Sequence, residues 1–196
     1  MDDDFKGQKG ILRARISARL KAMPADHRAP ASRQLCLLLE RHSLWKDART
    51  ILFFAPMPDE PDIWPLLLDS LAAGKTVALP RFDPTTKRYV ACRIADATAD
   101  LAVGRYGIRE PAGHCAVLGL NRLDLTLVPG VAFDLQGRRL GRGKGFYDRL
   151  LASVRGATCG IAFDEQIVTE IPVEPHDVHL NCIITPTRRV DVTSVR

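Results

Sequence analysis

Apolar positions recur every three or four residues near the start of the chain, where Leu12, Ile16 and Leu20 share one face of a predicted helix over 7–23, ended by Pro24. A second helix is predicted over 31–42, with Leu35, Leu38 and Leu39 on one side. The run Thr50-Ile-Leu-Phe-Phe54 then changes the pattern to a short continuous apolar segment, a buried strand that stops at Pro56. After the breaker Pro58-Asp-Glu-Pro61, a helix over 63–73 is capped by Gly74. Further strands are predicted over 76–79, stopped by Pro80, and over 89–94, 125–128 and 158–162. Residues 96–100 read as a polar connector, 114–121 as a variable loop without chemistry, and 188–196 as a polar tail. Strands alternating with helices predict an α/β fold, a three-layer Rossmann-like sandwich with a mainly parallel sheet and helices on both faces.

Between the 125–128 strand, which ends at Pro129-Gly130, and a helix predicted over 146–154 on Phe146, Leu150 and Val154, the chain becomes rich in glycine and positive charge. Glycines stand at 137, 141, 143 and 145, and cations at 138, 139, 142 and 144. Alternating glycines let backbone N–H groups turn toward one point, the cations add charge, and the following helix aims its N-terminal dipole there. The pattern suits an anion, best of all a polyphosphate. Asp148, one turn into that helix, is placed to hold an accompanying magnesium ion. A Walker A loop is excluded because Gly145 follows Lys144 without a hydroxyl, and the dinucleotide fingerprint because Phe146 stands where its third glycine belongs. An ordinary surface turn has a similar composition, so the loop alone leaves both readings open.

The chain has 196 residues, 46% hydrophobic and 26% charged, as expected of one globular domain. No apolar run is long enough to span a membrane, and the acidic start Met1-Asp-Asp-Asp-Phe5 is no secretory signal, so a cytoplasmic location is expected. Five scattered cysteines, odd in number and without a Cys-x-x-Cys pair, fit reduced thiols. The net charge of +5 suits an anionic ligand or nucleic acid, but there is no long Lys/Arg block, no RNA-recognition motif, and only 6% aromatic residues. His176, His179 and Cys182 lie three apart, a weak zinc spacing with no second pair to complete it. Lys9 and Arg13 share a helix face whose ordinary fate is solvation. Glu60, in a turn just past a strand, is ordinarily solvated too, yet the carboxyl end of a parallel strand is where open α/β sheets bind ligands.

The run Pro129-Gly-Val-Ala-Phe-Asp134, continued by Gly137-x-Arg-Leu-Gly-Arg-Gly-Lys-Gly-Phe-Tyr-Asp-Arg149, resembles the signature of the 5-formyltetrahydrofolate cyclo-ligases, or 5,10-methenyltetrahydrofolate synthetases. Lys9-Gly-Ile-Leu-Arg13, Glu60, the segment 104–111, Gln166 and Asp177 extend the resemblance over nearly the whole chain. It implies a single catalytic domain spanning 1–196, whose N-terminal helix, about 5–23, contributes to the nucleotide site. The implied reaction consumes ATP with Mg2+ and converts 5-formyltetrahydrofolate to 5,10-methenyltetrahydrofolate, ADP and phosphate. By that resemblance ATP would meet Lys9, Arg13, Arg139, Leu140, Gly141, Arg142, Gly143, Lys144, Gly145, Phe146 and Tyr147, with Lys144 and Arg142 as the catalytic cations. The folate would meet Ala55, Glu60 and Tyr106, besides Arg142, Gly143, Lys144, Gly145 and Phe146. Asp148 and Asp177 would hold the metal.

The chain departs from the family at Ala55, where many members carry an aromatic, at Pro61-Asp62-Ile63, and at Asn181 in place of a frequent aspartate. Tyr106 would stack on a pterin or simply fill its loop. Small-molecule partners, no membrane, no nucleic acid and a monomer are expected. The alternatives are an RNA-binding relative of the same fold and a sugar-phosphate isomerase-like enzyme, for which a triphosphate-shaped loop has no use. Lys144→Ala and Asp148→Ala are expected to abolish turnover with the fold intact.

Overall fold

The computed structural model describes residues 2–104, 107–172 and 178–192, with side chains from residue 6 onward. In chain order the strands are β1 (Thr50–Leu52), β2 (Thr76–Asp83), β3 (Arg88–Ile94), β4 (Leu101–Val103), β5 (Arg109–Pro111), β6 (Val117–Leu118), β7 (Leu125–Val128), β8 (Ala132–Asp134), β9 (Arg139–Leu140), β10 (Ala157–Ile161), β11 (Ile167–Val168), β12 (Cys182–Ile184) and β13 (Arg189–Asp191). The helices are α1 (Asp2–Ala22), α2 (Ala25–Glu40), α3 (Ser43–Asp47), α4 (Trp64–Ala72) and α5 (Phe146–Leu151). None of the described helices is long and apolar enough to cross a membrane.

The main sheet runs β13-β12-β10-β7-β1-β2-β3-β6. Its five central strands are parallel, and β13, β3 and β6 join antiparallel at the edges. Successive side chains along a strand point to opposite faces, so the core forms on both. On one face Ile51, Leu125, Leu127, Cys159 and Ile184 pack with Leu35, Leu39, Leu66 and Leu67 of α2 and α4. On the other, Leu52, Ala78, Val128 and Ile183 meet Leu150 and Leu151 of α5. Each of these buried leucine, isoleucine and valine side chains stabilises the fold by about 1.5–3 kcal/mol. The α/β expectation with a mainly parallel sheet is met.

Three departures have local causes. Strand β2 does not stop at Pro80 but continues to Asp83 opposite β3. Strand β1 pairs with it only as far as Ala78, so at Pro80 no second ladder requires an N–H donor. The helix expected over 146–154 ends at Leu151. The chain must return to the sheet at Gly156, where a Cβ would lie 2.1 Å from the Leu123 carbonyl oxygen. The expected polar tail contains β13: Val190 registers against Ile183 of β12. Asp191 accepts a 2.8 Å hydrogen bond from Nε2 of buried His42, whose Nδ1 accepts from the Leu44 N–H at 3.1 Å. Three residues carry too little periodicity to reveal a strand. The second helix also starts earlier than expected, at Ala25, and the loop over 114–121 includes β6.

A second sheet of three strands, β11-β8-β9, stands apart from the main one. Helix α1 lays its stripe Leu12, Ile16 and Leu20 onto it, against Ala132, Leu140, Phe163, Val168 and Ile171. This docking brings the polar face of α1 to the glycine-rich loop. All five cysteines are buried and free, and Cys159 and Cys182 are register neighbours on β10 and β12.

Candidate active site

Strand β1 leads by α4 to β2 on one side of it, whereas β7 lies on its other side, so the strand order reverses between β1 and β7. Loops leaving the carboxyl ends of two such strands diverge and open a crevice. One wall is the segment after β1, Phe53 to Glu60. The other is Pro129-Gly130 after β7, followed by the loop 141–145 and α5. Together with Pro80 and Tyr89 they enclose a cavity of about 280 Å³.

The loop 141–145 takes its shape from glycine. Gly143 and Gly145 have φ of +89° and +62°, a region that costs other residues strain. Arg13 of α1 donates from Nε to the Gly141 carbonyl at 2.9 Å, and its guanidinium carbon would stand 3.5 Å from a Cβ on Gly143. Lys9, one turn earlier on α1, falls on the same side of that helix. Arg139, only 4% exposed, is paired with Asp148, reaches the Pro129 carbonyl at 3.4 Å and stands 5.7 Å over the Tyr147 ring. Asp148 remains one-third exposed beside Gly145.

Arg142 spans the cavity mouth. Its Nη2 donates to Asp59 at 2.7 Å and to Glu60 at 3.1 Å. The other Glu60 oxygen accepts the Met57 N–H at 3.0 Å. Glu60 is 6% exposed, and burial pushes its carboxyl above the usual carboxylate range, opposed by the Met57 N–H and by Arg142. Burial and, next, the Glu60 charge push the Tyr147 phenol up, which keeps it a neutral hydrogen-bonding group. On the apolar side, Phe146 meets Tyr89 edge-on at 5.1 Å and Phe82 at 6.0 Å. Each such pair contributes about 0.5–1.5 kcal/mol beyond its burial. The cavity therefore has a cationic, glycine-lined end and an aromatic end, with a buried carboxylate where they meet.

The sequence model of the 5-formyltetrahydrofolate cyclo-ligase family matches residues 5–186. A 5-formyltetrahydrofolate cyclo-ligase of Mus musculus is 31% identical over 184 residues, covering 88% of this chain and 91% of that one. One from Escherichia coli K12 is 32% identical over 177 residues, covering 88% and 97%. A solved 5,10-methenyltetrahydrofolate synthetase of Aquifex aeolicus superposes with a TM-score of 0.86 at 29% identity, covering 96% of this chain and 94% of that one. The chain belongs to the 5-formyltetrahydrofolate cyclo-ligase family. It is accordingly a ligase, as its glycine-rich signature implies.

Of the residues that the family signature singles out, Ala55, Glu60, Arg139, Gly141, Arg142, Lys144, Gly145, Phe146, Tyr147 and Asp148 line the cavity. Arg13 braces the loop from behind, Gly143 stands at its exposed tip, and the Leu140 side chain is buried beneath α1. Tyr106, His176 and Asp177 lie outside the described residues. Of the remaining zinc candidates, Cys182 is buried in β12 while His179 is exposed, so the two do not converge. Asn181 accepts from the Thr158 N–H at 2.8 Å and from its hydroxyl at 3.0 Å, which ties the chain entering β12 to β10. Sequence reasoning missed Met57, Tyr89 and Arg109 as cavity residues. Tyr89 read as part of a strand, Met57 carries no local motif, and Arg109 stood within the resembling segment 104–111 without being singled out; only the folded topology joins them.

Proposed function

We propose that the chain converts 5-formyltetrahydrofolate to 5,10-methenyltetrahydrofolate with consumption of ATP. The observation that carries this reading is the two-ended cavity, in which a phosphate-suited loop and an aromatic, carboxylate-bearing pocket face each other. Its size, about 280 Å³, suits a bicyclic head group rather than a whole folate. Glu60 would accept paired N–H donors of the pterin, and Phe146 and Tyr89 would flank its ring.

The formyl oxygen on N5 is amide-like and a very poor leaving group. Attack of that oxygen on the γ-phosphorus forms a new P–O bond and breaks the bridge to ADP. The N10 lone pair then bonds to the formyl carbon, the C–O bond to phosphate breaks, and N10 loses its proton to leave the conjugated amidinium. No protein nucleophile is needed; positioning and charge neutralisation carry the catalysis. Lys144 and Arg142 would neutralise the transferring group, with Lys9, Arg13 and loop N–H groups holding the remaining phosphates. Arg142 is paired across an exposed contact, its side chain 41% and that of Asp59 37% accessible, so releasing Asp59 for phosphate costs little, about 0–1 kcal/mol.

Magnesium commonly takes one or two carboxylates and completes its shell with phosphate oxygens and water. Asp148, partly exposed beside the loop, fits that role as the protein ligand. The ion would supply charge neutralisation between phosphates. Arg139, buried against Asp148, would orient that carboxylate rather than bind phosphate itself.

Mixing the purified protein with 5-formyltetrahydrofolate and Mg-ATP tests the proposal. The methenyl product absorbs in the near ultraviolet, where the substrate does not, and an ATP-dependent rise is expected. Folded protein that gives no rise would sink the reading.

A further inference from the structure

Strands β4 and β5 pair from Leu101–Pro111 to Val103–Arg109, and β5 carries Arg109 and Glu110 to the cavity. At the foot of this pair the Ala112 N–H donates to the Asp100 carbonyl at 2.8 Å, which draws the flanking residues together. Asp100, His114 and Cys115 meet there. One carboxylate oxygen, one ring nitrogen and the thiol sulfur all lie within 4.8 Å of one another. Among the described residues no other three His, Cys, Asp or Glu side chains gather in this way. The segment 114–121 shows no chemistry in sequence because its partner, Asp100, stands fourteen residues before His114.

The surrounding backbone fixes two of the three groups. Oδ2 of Asp100 accepts the N–H groups of Ala95 and Asp96 at 2.6 and 3.0 Å, which sets the carboxylate plane and leaves Oδ1 to meet His114 Nε2 at 2.9 Å. The Cys115 N–H closes a turn on the Ala112 carbonyl at 3.0 Å, and its buried thiol donates to the Asp100 carbonyl at 3.3 Å. Arg81 holds the same turn by donating to the carbonyls of Ala112 and Cys115 at 2.6 and 3.3 Å. His114 is the adjustable member, its side chain 63% exposed against 18% for Asp100.

Zinc ligands lie about 2.0–2.3 Å from the ion, so in a tetrahedral shell they stand roughly 3.3–3.6 Å from one another. The 2.9 Å contact between His114 and Asp100 must open by roughly half an ångström to admit an ion, a shift that rotation of an exposed imidazole supplies. Thiolate and imidazole favour zinc-like cations over magnesium or calcium, and a thiolate with a carboxylate balances two positive charges.

We propose that Asp100, His114 and Cys115 form a binding site for zinc or a similar divalent transition metal, separate from the cavity, with water completing the shell beside His114. Binding displaces the thiol proton to solvent and moves the imidazole proton to Nδ1. The bound ion ties both feet of the β4–β5 pair together.

The test titrates untagged, chelator-treated, full-length protein with Co2+, which gives visible bands in a tetrahedral site and near-ultraviolet charge transfer from a thiolate ligand. One equivalent should bind and Zn2+ should displace it. Cys115→Ser should abolish the charge-transfer band. His114→Gln, on an exposed side chain, should weaken cobalt binding by more than the roughly 10–100-fold that loss of an outer-shell partner costs. Saturating Zn2+ should raise the wild-type Tm by several degrees and that of His114→Gln by much less. Absence of charge transfer in the wild type overturns the site. So does a band that survives Cys115→Ser, or cobalt affinity unchanged in His114→Gln, since either puts the metal on other residues. Should Cys115→Ser fail to fold, His114→Gln decides alone. No readout here uses folate or ATP, so the proposed reaction stands or falls separately.

Discussion

Asp134 and Glu60 are both buried carboxylates beside an arginine, yet their surroundings differ in kind. Asp134, wholly buried at the end of β8, accepts the N–H groups of Gln136, Arg138 and Ile171 at 3.0–3.1 Å. Those bonds fold the β8–β9 turn around it, with Arg138 a further 3.7 Å away. Glu60 accepts one backbone N–H and gives its other oxygen to Arg142, a side chain on a glycine-rich loop. One carboxylate is saturated by partners fixed in the fold. The other is held in part by a partner that can leave, and such a group is available to a ligand at the cost of being poorly solvated without one.

The sharpest way to break this comparison is on the open side. Glu60→Gln keeps the shape and removes the acceptor charge, and turnover should fall about a thousandfold, the scale of loss when a site built for paired hydrogen bonds is mismatched. Lys144→Ala should abolish ATP-dependent turnover with the thermal melt unchanged, because its side chain is exposed. Asp148→Ala is no longer expected to spare the fold. It strands Arg139, 4% exposed, without its carboxylate, and stability should fall by about 3–5 kcal/mol in urea titration.

On the saturated side the signs reverse. Asp134→Ala removes the acceptor of three N–H groups, that of Ile171 buried and those of Gln136 and Arg138 part-buried, and should lower stability by about 3 kcal/mol, read as an earlier urea midpoint. Turnover per folded molecule should hold. A loss of turnover larger than the loss of folded protein would dissolve the distinction.

A subtler contrast lies in pH. Burial raises the Glu60 pKa above its ordinary 4.5, so the folded state binds a proton more tightly than the unfolded one. Its contribution to stability is then fully present below that ordinary value and is lost as pH rises through the raised one. Glu60→Gln should therefore melt higher than wild type at neutral pH, with the gap closing in acid; a constant gap would place the burden elsewhere. The smallest effect belongs to Asp59→Asn. The Arg142–Asp59 contact is exposed, so stability should move by under about 1 kcal/mol, and KM for ATP should fall less than threefold as Arg142 is freed.

What could be read in advance divides along the same line between local and assembled features. The glycine-rich loop was legible because its shape is dictated residue by residue, and so were the central strands, whose apolar runs are unbroken. The identity of each cation's partner was not: spacing brings Arg139 near the loop but cannot say that Asp148, nine residues on, takes it up. Nor could it join Tyr89 or Arg109 to Glu60: β3 reaches the site through the order of the main sheet, and β5, paired with β4 in a separate two-stranded sheet, only through tertiary packing. Strand β13 and the continuation of β2 through Pro80 depend on which neighbours are present, and periodicity says nothing of neighbours.

The five cysteines have a use for whoever studies the loop. Each is buried, and burial and the nearby carboxylates push the Cys36 thiol up to about 12. Reaction with maleimides or disulfide reagents requires the thiolate at an accessible surface. The native molecule is therefore a silent background for thiol labelling. A single cysteine introduced at an exposed position would take a fluorophore alone, so movement of the glycine-rich loop can be followed by light in a protein with no native cysteine removed.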